Sequence, residues 1–440
     1  MEHDNYLIKY LNGQVTLEQV FKYYDLSQNG FMPESNDTNL PEIYSEWETA
    51  CRKLPTLIKN RTLPQVIENL PLISVEELIS LDQKKRAYLT LSMMGNGYLW
   101  MFGKDNVPKK LPENIAYPWY RISQSLGLKP ILTHAAVDLY NCVPKCSEYK
   151  CSECSKYSEY SEYSECSSDK WNGHRYNADD YKPNPDELEC LFTFTGTRDE
   201  KWFYLIMSAI ELEGSKSISV IFNLLNALTN KNNELITQYL SQLASGIKGV
   251  EDILKRTLEK DNEGNYKCDP SVFWNDLRIF LGGTTDGSLF PDGLEFESIT
   301  TDKGQSNTGG SAAQSSLIQL YDAVLGVAHV SAHTRKFLLS MRYYMPKAHR
   351  YLLEDMENVC SLRDYVMMAN DDLMTLTFNN CIKHLTSFRK YHYYIVQKYI
   401  IDNLSAEDQK KAKGTADTTL TGFLVISREE SQSTSIDVTH

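Results

Sequence analysis

The stretch FNNCIKHLTSFRKYHYYIVQKYIIDNL, residues 378–404, reads as a helix. Leu385, Phe388, His392, Ile395, Val396 and Tyr399 recur at spacings of three and four, so they share one face. A histidine in the middle of that apolar stripe is expected to be buried. Leaving imidazole nitrogens unpaired in an apolar interior costs kilocalories, so His392 must either bond a neighbour or hold a metal. The stretch taken alone leaves both open, and a satisfied neighbour is the more common fate of a core histidine.

The chain around it has 440 residues, enough for two domains and a substantial core, and its 42% hydrophobic content fits a globular protein. Lysine and arginine number 45 against 58 acidic residues, a net charge of −13. That balance argues against a nucleic-acid or anionic-membrane partner. The opening, MEHDNYLIKYLNG, does not read as a leader, and the most apolar short run, WFYLIMSAI at 202–210, is too short to span a bilayer. A soluble, cytoplasmic protein, monomeric in solution, is the expectation. Of ten cysteines, Cys142, Cys146, Cys151, Cys154 and Cys166 crowd into one segment, while Cys51, Cys190, Cys268, Cys360 and Cys381 are scattered as free buried thiols would be. In the crowded segment only Cys151-x2-Cys154 resembles half of a zinc site, and the SEY repeats around it are polar and cannot bury a core. An expanded surface loop is expected there.

Helical patterns fill the rest, so the fold class is mainly α. A small, mostly helical N-terminal domain is expected over residues 1–141, a low-complexity insert and linker over 142–184, and a larger all-α domain over 185–440. In the first, Ser74 and Glu77 form a capping-box pattern ahead of an apolar stripe through Leu78, Leu81, Tyr88 and Leu91. In the last, SISVIFNLLNALTN and ELITQYLSQLASGIKGVEDILKRTLEK are helix-length patterns, and strand signals shrink to runs such as LECLFTFTG. Four other segments carry chemistry. VFWNDLRIFLGG puts Arg278 on a largely apolar helix that stops at Gly282 and Gly283, and an arginine there wants an anion. TGGSAAQSSLIQLYDAVLG has a capping box at Ser311 and Gln314, a stripe through Leu317, Ile318, Tyr321, Val324 and Leu325, and Gly309 and Gly310 where backbone could approach a flat ligand. MRYYMPKAHRYLLEDM has a proline at a helix entry, and KGTADTTLTGFL is a hydroxyl-rich loop suited to closing over a ligand. Taken singly, each also has a plain structural account.

Together and in this order, these segments resemble the indoleamine 2,3-dioxygenase family, heme enzymes that open the indole ring of tryptophan. The resemblance rests on FMPESNDTNLPEIYSEWETACRKLP, LPENIAYPWYRISQSLGLKPILTHA, LRIFLGG with DGLEFES, GGSAAQSSLIQLYDAVLG, MRYYMPKAHR, SLRDYV and SFRKYHYYIVQKYI, from about residue 31 to 425. It implies heme b as cofactor, with His392 the proximal iron ligand, Arg389 supporting the heme and its propionates, and Asp322 an acid pairing near that arginine. It further implies that the backbone of Gly310, Ser311 and Ala312 runs along the heme edge. On the substrate side it implies that Phe273 packs on the indole, Arg278 pairs with the amino-acid carboxylate, Phe203 lines the pocket floor and Thr415 closes the site near the ammonium. His329, His333, His349 and His384 are then bystanders.

This sequence departs from the family pattern in three places. Met207 stands where a serine is common, with Ser208 adjacent. Gly414-Thr415-Ala416-Asp417-Thr418 replaces a usual GTGGT. His134 and Val137 replace an aromatic and a thiol that often face the distal pocket. The expected activity is insertion of dioxygen across the indole C2–C3 bond of tryptophan or a related indoleamine to give N-formylkynurenine. The alternatives are a non-catalytic or weakly catalytic heme protein for oxygen or redox sensing, and a helical interaction protein without cofactor.

Overall fold

The computed structural model describes residues 3–36, 38–145, 183–299, 303–404 and 420–437. The architecture is mainly α, as its periodicity predicts. The principal helices are α1 (Leu81–Trp100), α2 (Glu113–Leu126), α3 (Arg198–Thr229), α4 (Asn233–Lys255), α5 (Ser316–Leu325), α6 (Lys347–Val359), α7 (Asp372–Tyr399) and α8 (Leu420–Gln432). The helix expected from residues 378–404 is α7. It is capped by Asp371, whose side chain accepts from the Met374 amide at 3.0 Å, and it packs along α4, which in turn packs along α3. Leu385, Phe388, Ile395, Val396 and Tyr399 are buried as the stripe requires.

Strand is confined to two small ladders among the described residues. β1 (Lys110–Leu111) pairs in parallel with β4 (Glu295–Phe296), and β2 (Cys142–Pro144) pairs antiparallel with β3 (Leu188–Cys190). The second ladder clasps the base of the expected insert, with the Lys145 amide donating to the Glu187 carbonyl at 2.7 Å. Most of the insert, residues 146–182, lies outside the described residues. Because its two ends are already held together by backbone pairing, its length sets only a loop-closure entropy, which changes by about 0.6 kcal/mol per doubling. Replacing residues 146–182 by a short flexible linker is therefore expected to leave thermal unfolding within about 1 kcal/mol of the parent. Loss of cooperative unfolding in that variant would show the segment to be structural.

Two expected helix starts are corrected. The first long helix begins not behind Ser74 but behind Ser80, where Ser80 Oγ accepts from the Gln83 amide and Gln83 Oε1 from the Ser80 amide, at 3.1 and 3.2 Å. Ser74 only accepts from the Glu76 amide, and Leu81 is 45% exposed instead of lying in the stripe. From Lys85 onward nearly every residue of α1 is buried, even Lys85, paired with Asp25 at 2.8 Å, and Arg86, held by Glu48 at 2.7 and 2.8 Å. The second correction is at α5, which starts behind Ser315 and not Ser311. Ser311 caps only a short 3-10 turn, and the Gln314 side chain is drawn away to the Gly309 carbonyl and the His134 amide.

The proline entry is as read: Pro346 precedes α6. The scattered thiols Cys51, Cys190, Cys268 and Cys381 are free and buried, and Cys360 is free and partly buried. No helix among the described residues is long and apolar enough to cross a membrane.

Candidate functional site

His392 lies on α7 where the burial of that helix lifts. Tyr391, His392 and Tyr393 are only half-buried, and Tyr394 is 45% exposed. The expectation of a sealed ring is corrected accordingly. His3, His134, His329, His349 and His384 each have a side-chain hydrogen-bond partner, and His333 is exposed. Among the described residues His392 is thus the histidine drawn back from solvent with no polar partner. Burial, with the Arg389 charge one turn away, pushes its pKa down to about 4, so the ring is neutral at neutral pH. That is the form whose lone pair can bind a metal.

Behind His392 stands a buried ion pair. Arg389 Nη2 donates to both oxygens of Asp322 on α5, at 2.8 and 2.6 Å, and Nη1 donates to Ser431 Oγ on α8. Arg389 and Asp322 are 8% and 6% exposed. Against the upward push of burial, Arg389 and His329 hold the Asp322 carboxyl below the ordinary carboxylate range. The structure therefore brings together the three residues that sequence singled out on this side.

At the C-terminal end of α7 the aromatic wall begins. Phe273 sits 5.4 Å from the Tyr399 ring and 4.7 Å from Phe203 on α3, and Met207 follows Phe203 by one turn. The segment carrying Phe273 is not the α-helix that sequence suggested. A short helix, Pro270–Val272, opens into a wide π turn at Phe273–Leu277 and tightens to 3-10 at Arg278–Leu281. Arg278 is half-buried where the two meet, 4.8 Å over the Trp274 ring, and burial lowers its pKa. Trp274 is a contact that pattern reading missed; its place beside Asn275 on a presumed polar face hid it.

The glycines before α5 also have a different reason from the expected one. A Cβ at Gly309 would lie 2.1 Å from the Leu281 carbonyl oxygen, and one at Gly283 would lie 2.3 Å from the Gly309 nitrogen. Glycine is required there so that two protein backbones can touch. Gly310, whose nearest neighbour to an added Cβ would be the Leu132 carbonyl at 3.6 Å, has ordinary room. Ser311 and Ala312 lie in the 3-10 turn beside it.

His134 is not an open pocket residue. Its Nδ1 lies 2.6 Å from Asp138 and its Nε2 lies 3.0 Å from Glu211, while Ser315 Oγ donates to Glu211 at 2.7 Å. All three charged groups are at least nine-tenths buried, and Asp138 Oδ1 and Glu211 Oε2 have no further partner among the described residues. Burial would depress the His134 pKa, but the two carboxylates overcome it and raise it to about 10; burial pushes Asp138 up. Val137 is buried in the same π turn, Ala135–Leu139. Ser208, beside Met207, is fully buried and donates to the Asp138 carbonyl at 2.8 Å, so its hydroxyl is already committed. Thr415 lies outside the described residues.

The His134 cluster carries a stability prediction. Both shifts are upward, so the folded cluster binds protons more tightly than the unfolded chain. The His134 contribution is complete below the unfolded histidine value of about 6.5 and fades until pH passes the folded value of about 10. The melting temperature is expected to fall across that window. His134→Gln should flatten the fall, and an equally steep profile in that variant would rule the cluster out as its source.

Among the described residues no group of three or more His, Cys, Asp or Glu side chains could cage a metal. A lone imidazole retains iron only where another group supplies most of the coordination, which is what a porphyrin does. These features define a class: a mainly α protein presenting one neutral imidazole, braced by an arginine–carboxylate pair, near an aromatic wall that carries an arginine. Comparison makes the class specific. A family model described as indoleamine 2,3-dioxygenase matches residues 20–435. Indoleamine 2,3-dioxygenase 2 of Homo sapiens is 30% identical over 426 residues, 93% of each chain, and indoleamine 2,3-dioxygenase 1 of Mus musculus is 31% identical over 364 residues, 82% of this chain and 80% of the relative. A protein named myoglobin from Haliotis madaka is 28% identical over 418 residues, 94% of this chain and 98% of the relative. The chain belongs to the indoleamine 2,3-dioxygenase family of heme dioxygenases.

Proposed function

We propose that the chain, a soluble cytoplasmic monomer, binds heme b through His392 and inserts dioxygen across the indole C2–C3 bond of tryptophan or a related indoleamine, giving N-formylkynurenine. The observation that carries this reading is the neutral, unpartnered His392 ring, backed by Arg389 and Asp322. When bound, ferrous heme supplies the position at which dioxygen is held and activated. Both oxygen atoms end in the product, so turnover itself consumes no external reductant.

The work left to the protein is orientation and exclusion of water. Phe273 and Phe203 offer flat apolar surfaces to the indole, with Met207 beside them. Arg278, with Trp274 under its guanidinium, presents a planar fork that suits an amino-acid carboxylate. The Gly310, Ser311 and Ala312 backbone flanks the cofactor edge, Arg389 and Asp322 fix the proximal side, and Thr415 closes over the substrate ammonium. His134 delivers no proton, because both of its ring nitrogens face carboxylates. It shapes the distal wall together with Val137.

A second reading, a heme protein with little or no catalysis, is favoured by the relative named myoglobin and by the committed Ser208 hydroxyl next to Met207. The test is a Soret band in the purified protein followed by tryptophan-dependent oxygen uptake under reducing conditions, with N-formylkynurenine formed one for one. A Soret band without uptake selects the second reading, and absence of the band in hemin-supplemented protein overturns both.

A further inference from the structure

His329 lies just after α5 and faces two carboxylates at once. Its Nε2 is 3.2 Å from Asp322 Oδ2, and its Nδ1 is 2.7 Å from Glu430 Oε2 on α8. Neither carboxylate has a spare side to turn. Asp322 already receives Arg389, and the other oxygen of Glu430 accepts from the Ser331 amide at 2.8 Å. Carboxylate oxygens only accept, so a neutral imidazole would set its bare nitrogen against one of them. Only the imidazolium satisfies both contacts. The charge count agrees: Asp322, Glu430 and Arg389 sum to −1 in a region where each is at least nine-tenths buried, and one proton on His329 brings the region to neutrality.

We propose that His329 is a positioning residue for the proximal side, tying α8 to α5 through Glu430 and Asp322 and so fixing Arg389, three residues before His392. The inference rests on the proposed role of His392 for its functional meaning, but the tie itself is a property of the polypeptide. Three helices meet in it. Asp322 comes from α5, Arg389 from α7, and Glu430 and Ser431 from α8, with Ser431 Oγ accepting from Arg389 and donating to the Ser427 carbonyl. The charged groups acting on His329 are Asp322 and Glu430, which raise its pKa against burial, and Arg389, which opposes them. Loss of the proton leaves one contact repulsive and the cluster at −1. The helix carrying Glu430 and Ser431 then loosens, and the charge of Arg389 beside His392 is no longer held in place. An imidazole ligand's donor strength depends on such neighbours, so the tie reaches the iron's potential.

The experiment compares wild type, His329→Gln and His329→Leu. In the heme-free protein, amide hydrogen exchange of α8, corrected for the intrinsic pH dependence, should quicken in wild type as pH rises through the titration of His329. In both variants it should be fast throughout, by roughly ten- to hundredfold, the scale of one charge-assisted hydrogen bond, while α4 exchange stays as in wild type. In hemin-loaded protein the wild-type reduction potential should follow the same pH profile and the variants should lack it. Slow, pH-independent α8 exchange in wild type, or an unchanged wild-type profile in the variants, would overturn the proposal. Failure to take up heme would count against the functional reading of His392 and leave the exchange measurement decisive for His329.

Discussion

His392→Ala is expected to yield folded protein that does not retain heme. The side chain is half-buried and makes no hydrogen bond among the described residues, so its removal orphans no polar group and costs little stability. Its effect on cofactor affinity should be far larger. Losing only a supporting partner of a metal ligand costs about 10–100-fold, and losing the ligand itself should exceed about a hundredfold. The measurement is Soret absorbance per protein after hemin loading and desalting, beside a thermal melt of the heme-free chain. His333→Ala and His384→Ala are the controls, since the former removes an exposed ring and the latter one already bonded to Glu251 at 3.1 Å. Normal occupancy in His392→Ala would move the iron elsewhere.

Arg278→Gln is expected to leave the heme spectrum unchanged while weakening tryptophan saturation by about 2–4 kcal/mol, the cost of breaking a buried charge-assisted pair. Burial disfavours a guanidinium without an anion close by, and the ring of Trp274 compensates on one face only. Glutamine keeps the length and a donor but loses the charge and the fork. Indole analogues without a carboxylate should respond far less to the substitution. Equal losses for both kinds of ligand would assign Arg278 to the scaffold, with Trp274 as its reason for being there.

Much of this was legible in the chain itself. The spacing of Leu385, Phe388, Ile395 and Tyr399 is a local property, and α7 follows it; Pro346 marks the start of α6 because a missing amide costs least at a helix entry. The helix starts were harder. Ser74-x-x-Glu77 and Ser80-x-x-Gln83 carry the same local signal six residues apart, and only tertiary burial from Lys85 onward shows which one opens the helix. Gln314 fits a capping box until the Gly309 carbonyl and the His134 amide, contacts a local pattern does not contain, recruit its side chain.

The site shows the same division. His392, Arg389 and Asp322 came from family-like blocks, and the structure adds that the last two are bonded to each other. The partners of His134 and His329 were invisible to spacing. Glu211 lies 77 residues from His134, and Glu430 lies 101 from His329. A buried histidine announces that it has a partner, but only the fold says which.

The two π turns, Ala135–Leu139 and Phe273–Leu277, have a consequence for how this scaffold can change. A π turn closes its hydrogen bonds over one residue more than an α turn, so each behaves as a single-residue insertion absorbed inside a helix. Deleting one residue between Phe273 and Arg278 would let the segment relax to α and rotate everything after it by about 100°, carrying the guanidinium off the indole ring below it. Substitutions on these two segments can vary what the ligand meets. Their length is fixed by phase, and in a lineage of such proteins it is there that gaps should be scarcest.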